Sequence, residues 1–413
     1  MPIDFIANVF HFSKNNTVQE GCKIKTINFK AQQKDTFIKT IPVENDTSAD
    51  FDGITIEKKS FGKLSKQNKE AHLYTITNKN GASVDFSDFG ATVTAIRIPD
   101  KNGNLIDVTQ GYDSVTPYET LPVGHAGGTI GPCANKINNG KFSINEKTYT
   151  LETNKDNGKT HCHGGTSGLD VKLWKTEILS NGIKFSYKKK DMENGYPGNV
   201  DMSVIYTFDN NNNLKIKYSA KTDKDTLLNL TNHTYFNLDG ENNTEENSIL
   251  EHIVCLPNSS KITENNEISI PTGNFIDVKN TPFDFLTPHK IKDSINQENE
   301  QLKIGSGYDQ NYCVDNYDKA SLKEIANVYS EKTGILLDVK SNLPGFQFYT
   351  ANHLGKSSQP AGKSRSRYEK RSALCIEPQF YPNAINTDSF DEKGILKKDE
   401  IYDREIIYSF SVK

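Results

Sequence analysis

Apolar and polar residues alternate with a period of two over several stretches of this 413-residue chain. Ile183, Phe185 and Tyr187 alternate with polar partners. So do Met202, Val204, Tyr206 and Phe208, then Leu214, Ile216, Tyr218 and Ala220, and finally Ile406, Tyr408, Phe410 and Val412. Successive side chains of an extended strand point to opposite faces, so each run predicts a strand with one face buried and the other wet. Between the second and third runs, Asp209-Asn210-Asn211-Asn212-Asn213 is a cluster of turn-forming residues and predicts a hairpin. Glu331-Lys332-Thr333-Gly334 predicts a turn joining another pair. Sustained helical periodicity is scarce, and the best window, residues 320–329, is short enough to be a strand. The expected fold class is therefore all-β and antiparallel, with two packed sheets as its layers.

Composition changes this picture little: 34% hydrophobic and 25% charged residues describe a polar globular chain long enough to bury a sizeable core. Length alone suggests two or three domains, although large antiparallel domains are the standing exception. A formal net charge of -4 argues against a nucleic-acid partner held by a basic surface. Lys188-Lys189-Lys190 reads as solvated strand ends or a turn. No stretch approaches the roughly 18 apolar residues of a membrane span, and the N-terminus lacks both a basic flank and a long apolar core. No membrane partner and a cytoplasmic location are expected, as a monomer or homodimer. Six cysteines, at 22, 133, 162, 255, 313 and 375, are scattered without a CxxC pair, as reduced thiols would be. Residues 1–53, rich in Lys, Asn, Gln and Thr, read as a poorly ordered or loosely docked extension carrying at most one strand. Residues 356–371, rich in Ser, Lys and Arg, read as a mobile surface loop beside the segment that follows.

Candidate chemistry concentrates in three places. His233 sits in Asn229-Leu230-Thr231-Asn232-His233-Thr234-Tyr235-Phe236-Asn237, among short amides and hydroxyls able to fix an imidazole's tautomer and orientation. A buried histidine merely satisfied by such neighbours is the competing interpretation. Glu377 lies in Ile376-Glu377-Pro378-Gln379-Phe380, where apolar surroundings would raise a carboxyl toward the range of a useful general base. His161-Cys162-His163-Gly164-Gly165 places imidazoles beside glycines that permit close approach. That segment is not a zinc motif, because adjacent residues of an extended chain face opposite ways and no second ligand cluster answers it. Gly158-Lys159-Thr160 is not a phosphate-binding loop either, since Thr153 stands where the first glycine is required. No GxSxG elbow supports a serine hydrolase.

Together these segments resemble the galactose mutarotase (aldose 1-epimerase) family. The resemblance runs from about residue 54 through Phe61-Gly62, Asp88-Phe89-Gly90-Ala91-Thr92, Gly131-Pro132-Cys133-Ala134-Asn135-Lys136-Ile137 and His163-Gly164-Gly165 to the His233 run. It continues through Pro271-Thr272-Gly273, Thr281-Pro282-Phe283-Asp284, Gly307-Tyr308-Asp309, Pro344-Gly345-Phe346-Gln347-Phe348-Tyr349-Thr350 and the Glu377 segment. It implies one galactose mutarotase-like supersandwich over residues 54–413, overriding the length prior, and an aldose 1-epimerase that interconverts sugar anomers by acid/base ring opening. No metal or organic cofactor is implied. By resemblance Glu377 is the base, His233 the acid, and His163 and Asp309 bind sugar hydroxyls; Asn135, Lys136 and Gln347 complete the expected substrate-binding set. Tyr235, Phe236, Tyr308 and Tyr349 offer rings for a sugar face or for ordinary core. The family usually reads Gly-Arg-Val-Ala-Asn-Arg-Ile where this chain carries Lys136, so a bidentate fork becomes a point charge. Two alternatives stay open: a sugar-binding module without turnover, and an epimerase for a phosphorylated or modified sugar, suggested by Lys136 and the basic residues between Arg365 and Arg371.

Overall fold

The computed structural model describes residues 49–413, apart from 52, 121–123 and 356–358. Its strands form three principal sheets, antiparallel throughout. Six strands, from Ala49–Phe51 to Leu105–Asp107, follow one another in chain order in the first. Nine make the second, where the hairpin Val200–Phe208 and Asn213–Thr222 continues onto Tyr402–Val412 and then onto Ile335–Ser341 and Lys323–Tyr329. The C-terminal strand thus closes the middle of the sheet, a long-range pairing that local pattern does not reveal. The third sheet has five strands in the order Pro271–Asp277, Lys261–Asn265, Asp309–Cys313, Gly345–Tyr349, Cys375–Gln379. Two six-residue helices, Val115–Thr120 and Glu300–Gly305, are the only α-helices among the described residues.

All four alternating runs are strands, and their apolar positions are buried except Tyr187, which is half-buried, and Val412 at the chain end, which is exposed; Phe185, Tyr206, Tyr218 and Tyr408 are each 0% exposed. The window at 320–329 is the strand Lys323–Tyr329. Side chains from all three sheets, among them Ile56, Phe86, Val204, Ile216, Phe346 and Ile376, belong to one continuous core. The burial of that core is the main favourable term of the fold.

Two expectations meet a different outcome, and a third falls almost wholly outside the described residues. The proposed extension at residues 1–53 lies outside the described residues except for Ala49–Phe51, which pairs with Ile54–Lys63, and Gly53. Of the segment 356–371, the described residues 359–371 are tied down: the Lys363 ammonium pairs with Asp107 at 2.6 Å and donates to the Thr94 carbonyl, while Arg371 donates to Asn296 and to the Ser306 carbonyl. Polar composition suggested a wet loop, but long cationic stems bury well when carbonyls and carboxylates receive their heads. Lys189 likewise departs from its solvated reading. It is buried, and its ammonium donates 2.9 Å hydrogen bonds to the carbonyls of Lys190, Tyr196 and Gly198. Lys189→Met should therefore cost about 1–3 kcal/mol in urea unfolding. Lys188→Met, at a 72% exposed position, should change stability by less than about 0.5 kcal/mol. Equal effects would show that the three carbonyls do not depend on Lys189.

Candidate active site

The five-stranded sheet supplies the floor of a pocket of about 650 Å³, within the range usual for small-molecule sites. Alternation along its strands does the sorting. Phe346, Phe348 and Ile376 turn into the core, and the residues between them, Gln347, Tyr349, Cys375 and Glu377, turn the other way. Register then aligns the opposite face: Gln347 pairs with Glu377, Tyr349 with Cys375, and Asp309 with Tyr349. Three carboxylate or amide side chains from three strands converge, and Gln347 Nε2 donates to Asp309 Oδ1 at 2.6 Å. Behind them Gln379 Nε2 donates to Asn311 Oδ1 and Gln347 Oε1, so the floor is braced by a buried amide network.

His233 enters from the opposite wall. Its flanking dipeptides pair with other chain segments, Thr231–Asn232 with Thr129–Ile130 and Tyr235–Phe236 with Thr109–Gln110. Its own N–H donates to the Gly128 carbonyl, and its carbonyl accepts from Gly127. These bonds bring His233 Nε2 to 3.7 Å from Glu377 Oε2, with only 5% and 3% of the two side chains exposed. The neighbouring amides and hydroxyls were expected to hold the ring. Instead Asn232 donates to the Gly127 carbonyl and accepts from Thr234. The ring is held by Cys375, whose Sγ lies 3.6 Å from Nδ1, and by stacking on Tyr235 at 4.9 Å. Burial pushes the Cys375 thiol well up, so it is a thiol and can donate to Nδ1. That contact leaves Nε2 as the ring nitrogen facing Glu377.

Burial raises the Glu377 carboxyl well above its ordinary value, and the Asp309 charge adds to the rise. Burial first, and then the neighbouring His125, lower His233 to about 3. Both shifts disfavour the charged forms, so the resting pair shares a single proton. Glu377 Oε2 has no hydrogen-bond partner. A buried carboxyl oxygen without a donor, at the floor of an open pocket, is a position a ligand hydroxyl can satisfy.

A side wall comes from two strands joined by pairing, Lys136–Asn138 with Thr160–Cys162. Just beyond them the Asn135 N–H donates to His163 Nδ1 and the His163 N–H donates to the Asn135 carbonyl. Nδ1 is thus an acceptor, and His163 turns an Nε2–H donor outward as a neutral imidazole, its pKa held well below the usual value by burial and by His125. Gly164 makes the approach possible: at φ +83° a Cβ would stand 2.0 Å from the Gly131 carbonyl oxygen. His161, the other imidazole of this segment, faces away and bonds the Glu152 carbonyl and the Tyr196 hydroxyl.

All seven residues singled out from sequence, Asn135, Lys136, His163, His233, Asp309, Gln347 and Glu377, line this one pocket. Lys136 does so with its ammonium already engaged, 3.0 Å from Asp156 Oδ2 and 2.8 Å from the Ile268 carbonyl. Of the four aromatic residues considered, Tyr235 and Tyr349 line the pocket, whereas Phe236 and Tyr308 are fully buried in the core. Donor atoms of His163, His233 and Glu377 lie within 4.8 Å of one another, a set that could also receive a divalent ion; no metal role is assigned to them. Sequence reasoning missed Cys375, His125 and Asp170. A signal for His125 exists in Gly124-His125-Ala126-Gly127-Gly128, a histidine among glycines like His163.

Comparison with known proteins agrees with this architecture. The family model described as aldose 1-epimerase matches residues 72–409. The galactose mutarotase of Bos taurus is 35% identical over 332 residues, covering 80% of this chain and 91% of the relative. The aldose 1-epimerase of Haemophilus influenzae is 35% identical over 327 residues, covering 79% and 91%. Among solved structures, an aldose epimerase homologue from C. elegans superposes with a TM-score of 0.72 at 31% identity, over 81% of this chain and 97% of that one. No helix among the described residues is long and apolar enough to cross a membrane. On that family match and these relatives, the chain belongs to the aldose 1-epimerase family and is an isomerase of that class.

Proposed function

We propose that this chain interconverts the α and β anomers of an aldohexose, galactose or glucose, with Glu377 and His233 as its proton-transfer pair. Ring opening requires loss of the C1 hydroxyl proton and gain of a proton at the ring oxygen; rotation about C1–C2 and reclosure then invert the anomer. In the form of the pair that reacts, the shared proton lies on His233 and Glu377 is ionised; Glu377 then takes the hydroxyl proton while His233 gives its own to the ring oxygen, and the roles exchange in the reverse direction. Each proton transfer of this kind contributes about 10²–10⁴ in rate. His163, Asp309, Gln347 and Asn135 hold the hydroxyls, and Lys136 adds a contact once its ammonium exchanges a protein oxygen for a sugar oxygen. The reaction needs no cofactor, and a cytoplasmic monomer or homodimer belongs to the same proposal.

The observation that carries this reading is the 3.7 Å approach of His233 Nε2 and Glu377 Oε2 at the floor of an open pocket. A binding module has no use for such a pair. Of the basic residues that raised a phosphorylated sugar, Lys136 is committed to Asp156 and Ile268 and the arginines at 365, 367 and 371 do not line the pocket, whereas Lys155 and Lys159 do. Polarimetry on freshly dissolved α-galactose and α-glucose tests the proposal. Faster approach to anomeric equilibrium is expected, and no acceleration on either sugar would overturn it.

The pH profile of kcat/KM should be a broad bell, because the active pair carries one proton. A second proton closes the acid side at the lowered pKa of His233, about 3, and loss of the only proton closes the alkaline side at the raised pKa of Glu377. Asp309→Asn removes one of the two causes that raise Glu377. Its alkaline limb should therefore move to lower pH, whatever happens to the plateau; an unmoved limb would detach that limb from Glu377.

A further inference from the structure

The pocket also holds His125, which helps to lower His233 but moves no proton and binds no hydroxyl in the mechanism above. His125 Nδ1 lies 2.7 Å from Asp170 Oδ2, and its side chain is 21% exposed, against 5% for His233. Its ring centroid stands 4.8 Å from that of His163 and is stacked 6.0 Å from that of His233. Both His125 and Asp170 line the pocket.

The segment that carries His125 is fixed at both ends of its turn. His125 itself adopts φ +54°, a left-handed conformation uncommon for a side chain of this size. Its carbonyl accepts from the Gly128 N–H at 3.0 Å, while the Gly127 N–H donates to the His233 carbonyl and the Gly128 carbonyl accepts the His233 N–H. Gly127 is packed so closely that a Cβ would fall 1.8 Å from the Val93 carbonyl oxygen. The imidazole therefore shares a rigid frame with His233. Asp170, 7% exposed and set in the short turn Leu169–Val171 just after the His163 segment, clamps it from the other side.

A carboxylate on Nδ1 is how proteins fix the tautomer and direction of a functional imidazole. Nδ1 donates to Asp170, which leaves Nε2 as the free ring nitrogen. Strain retained at a non-glycine residue in the wall of a ligand pocket is itself a pointer to function. Proton transfer is not the function the geometry suggests. The Glu377–His233 pair closes on itself at 3.7 Å, whereas His125 meets His233 only face to face.

We propose that His125, oriented by Asp170, is a third sugar-contacting imidazole of this pocket, binding a substrate hydroxyl through Nε2 rather than moving the anomeric protons. Asp170 is its positioning residue. The inference rests on the sugar reading of the pocket, and its test separates the two. A hydrogen bond made equally in ground and transition states raises KM and leaves kcat alone. His125→Phe keeps a flat ring and removes both nitrogens; KM for α-galactose should rise about 5- to 20-fold with kcat within about threefold. Asp170→Asn keeps an acceptor for Nδ1 and should raise KM by less. Calorimetric titration with anomerically equilibrated galactose should show matching losses of affinity, and thermal unfolding of each variant, with His125→Gln as a second replacement, reports whether it is folded. A folded His125→Phe with unchanged KM and affinity overturns the inference, as does a fall in kcat at constant KM, which would place His125 in proton transfer. Failure of the wild type to bind or turn over any common aldose would instead remove the sugar reading itself.

Discussion

Glu377→Gln should slow the approach of α-galactose to anomeric equilibrium by about 10²–10⁴-fold, equivalent to roughly 3–5 kcal/mol of barrier, while making the protein more stable. The two halves of this result have one cause. Glu377 sits on the strand Cys375–Gln379 with 2% exposure and one carboxyl oxygen without a partner, so the fold holds an acid where water would hold it better. Its folded pKa is raised above the unfolded value. A group shifted in that direction leaves stability intact below the unfolded pKa and removes it progressively as pH rises through the folded one. Glutamine has the same shape and does not titrate. The stability advantage of the variant should therefore be absent near pH 4 and grow toward neutral and alkaline pH, as read by thermal unfolding at several pH values. Polarimetry supplies the other half. A variant as fast as wild type would remove Glu377 from the mechanism, and a stability difference independent of pH would mean that the carboxyl is not held against its charge.

His233→Phe should cause a loss of similar size, about 10²–10⁴-fold, for a different reason. Phenylalanine preserves a ring to stack on Tyr235 and fill the space beside Cys375, but it carries no proton. The competing account of His233, a buried histidine present only to satisfy its neighbours, makes the opposite prediction. The ring's contacts in the structure are the Cys375 thiol, Glu377, aromatic or imidazole rings and the main chain of His233 itself, whose N–H and C=O are already bonded to Gly128 and Gly127, so an apolar ring would orphan no backbone group. A merely structural His233 would thus tolerate phenylalanine with kcat nearly unchanged. Measured kcat, with unfolding midpoints as a control, decides between them: a well-folded variant with wild-type turnover would leave only the structural role.

The chemistry of this site was more legible than its construction. His233 could be singled out because titratable groups among short polar residues are uncommon, and Glu377 because a carboxylate between Ile376 and Phe380 implies desolvation. Both signals are local. What holds the His233 ring is not local: Cys375 reaches it from the Glu377 strand, a partner 142 residues away in sequence. Lys136 was recognised as a charge at a binding position, but its engagement by Asp156 and Ile268 depends on two other loops. His125 carries a local signal in its flanking glycines, but nothing near it in sequence announces Asp170, 45 residues on.

By itself the sequence determined the strand content, because period-two alternation leaves a chain segment few other ways to bury one face. It also determined the inventory of proton-carrying side chains, and through an ordered set of motifs the family. Tertiary structure alone decided the antiparallel register that sets Gln347 opposite Glu377, the burial of Lys189 and Lys363, and the tautomer of His163. Those outcomes depend on which distant backbone carbonyls, thiols and carboxylates arrive beside a given group, and on how much water they displace when they do.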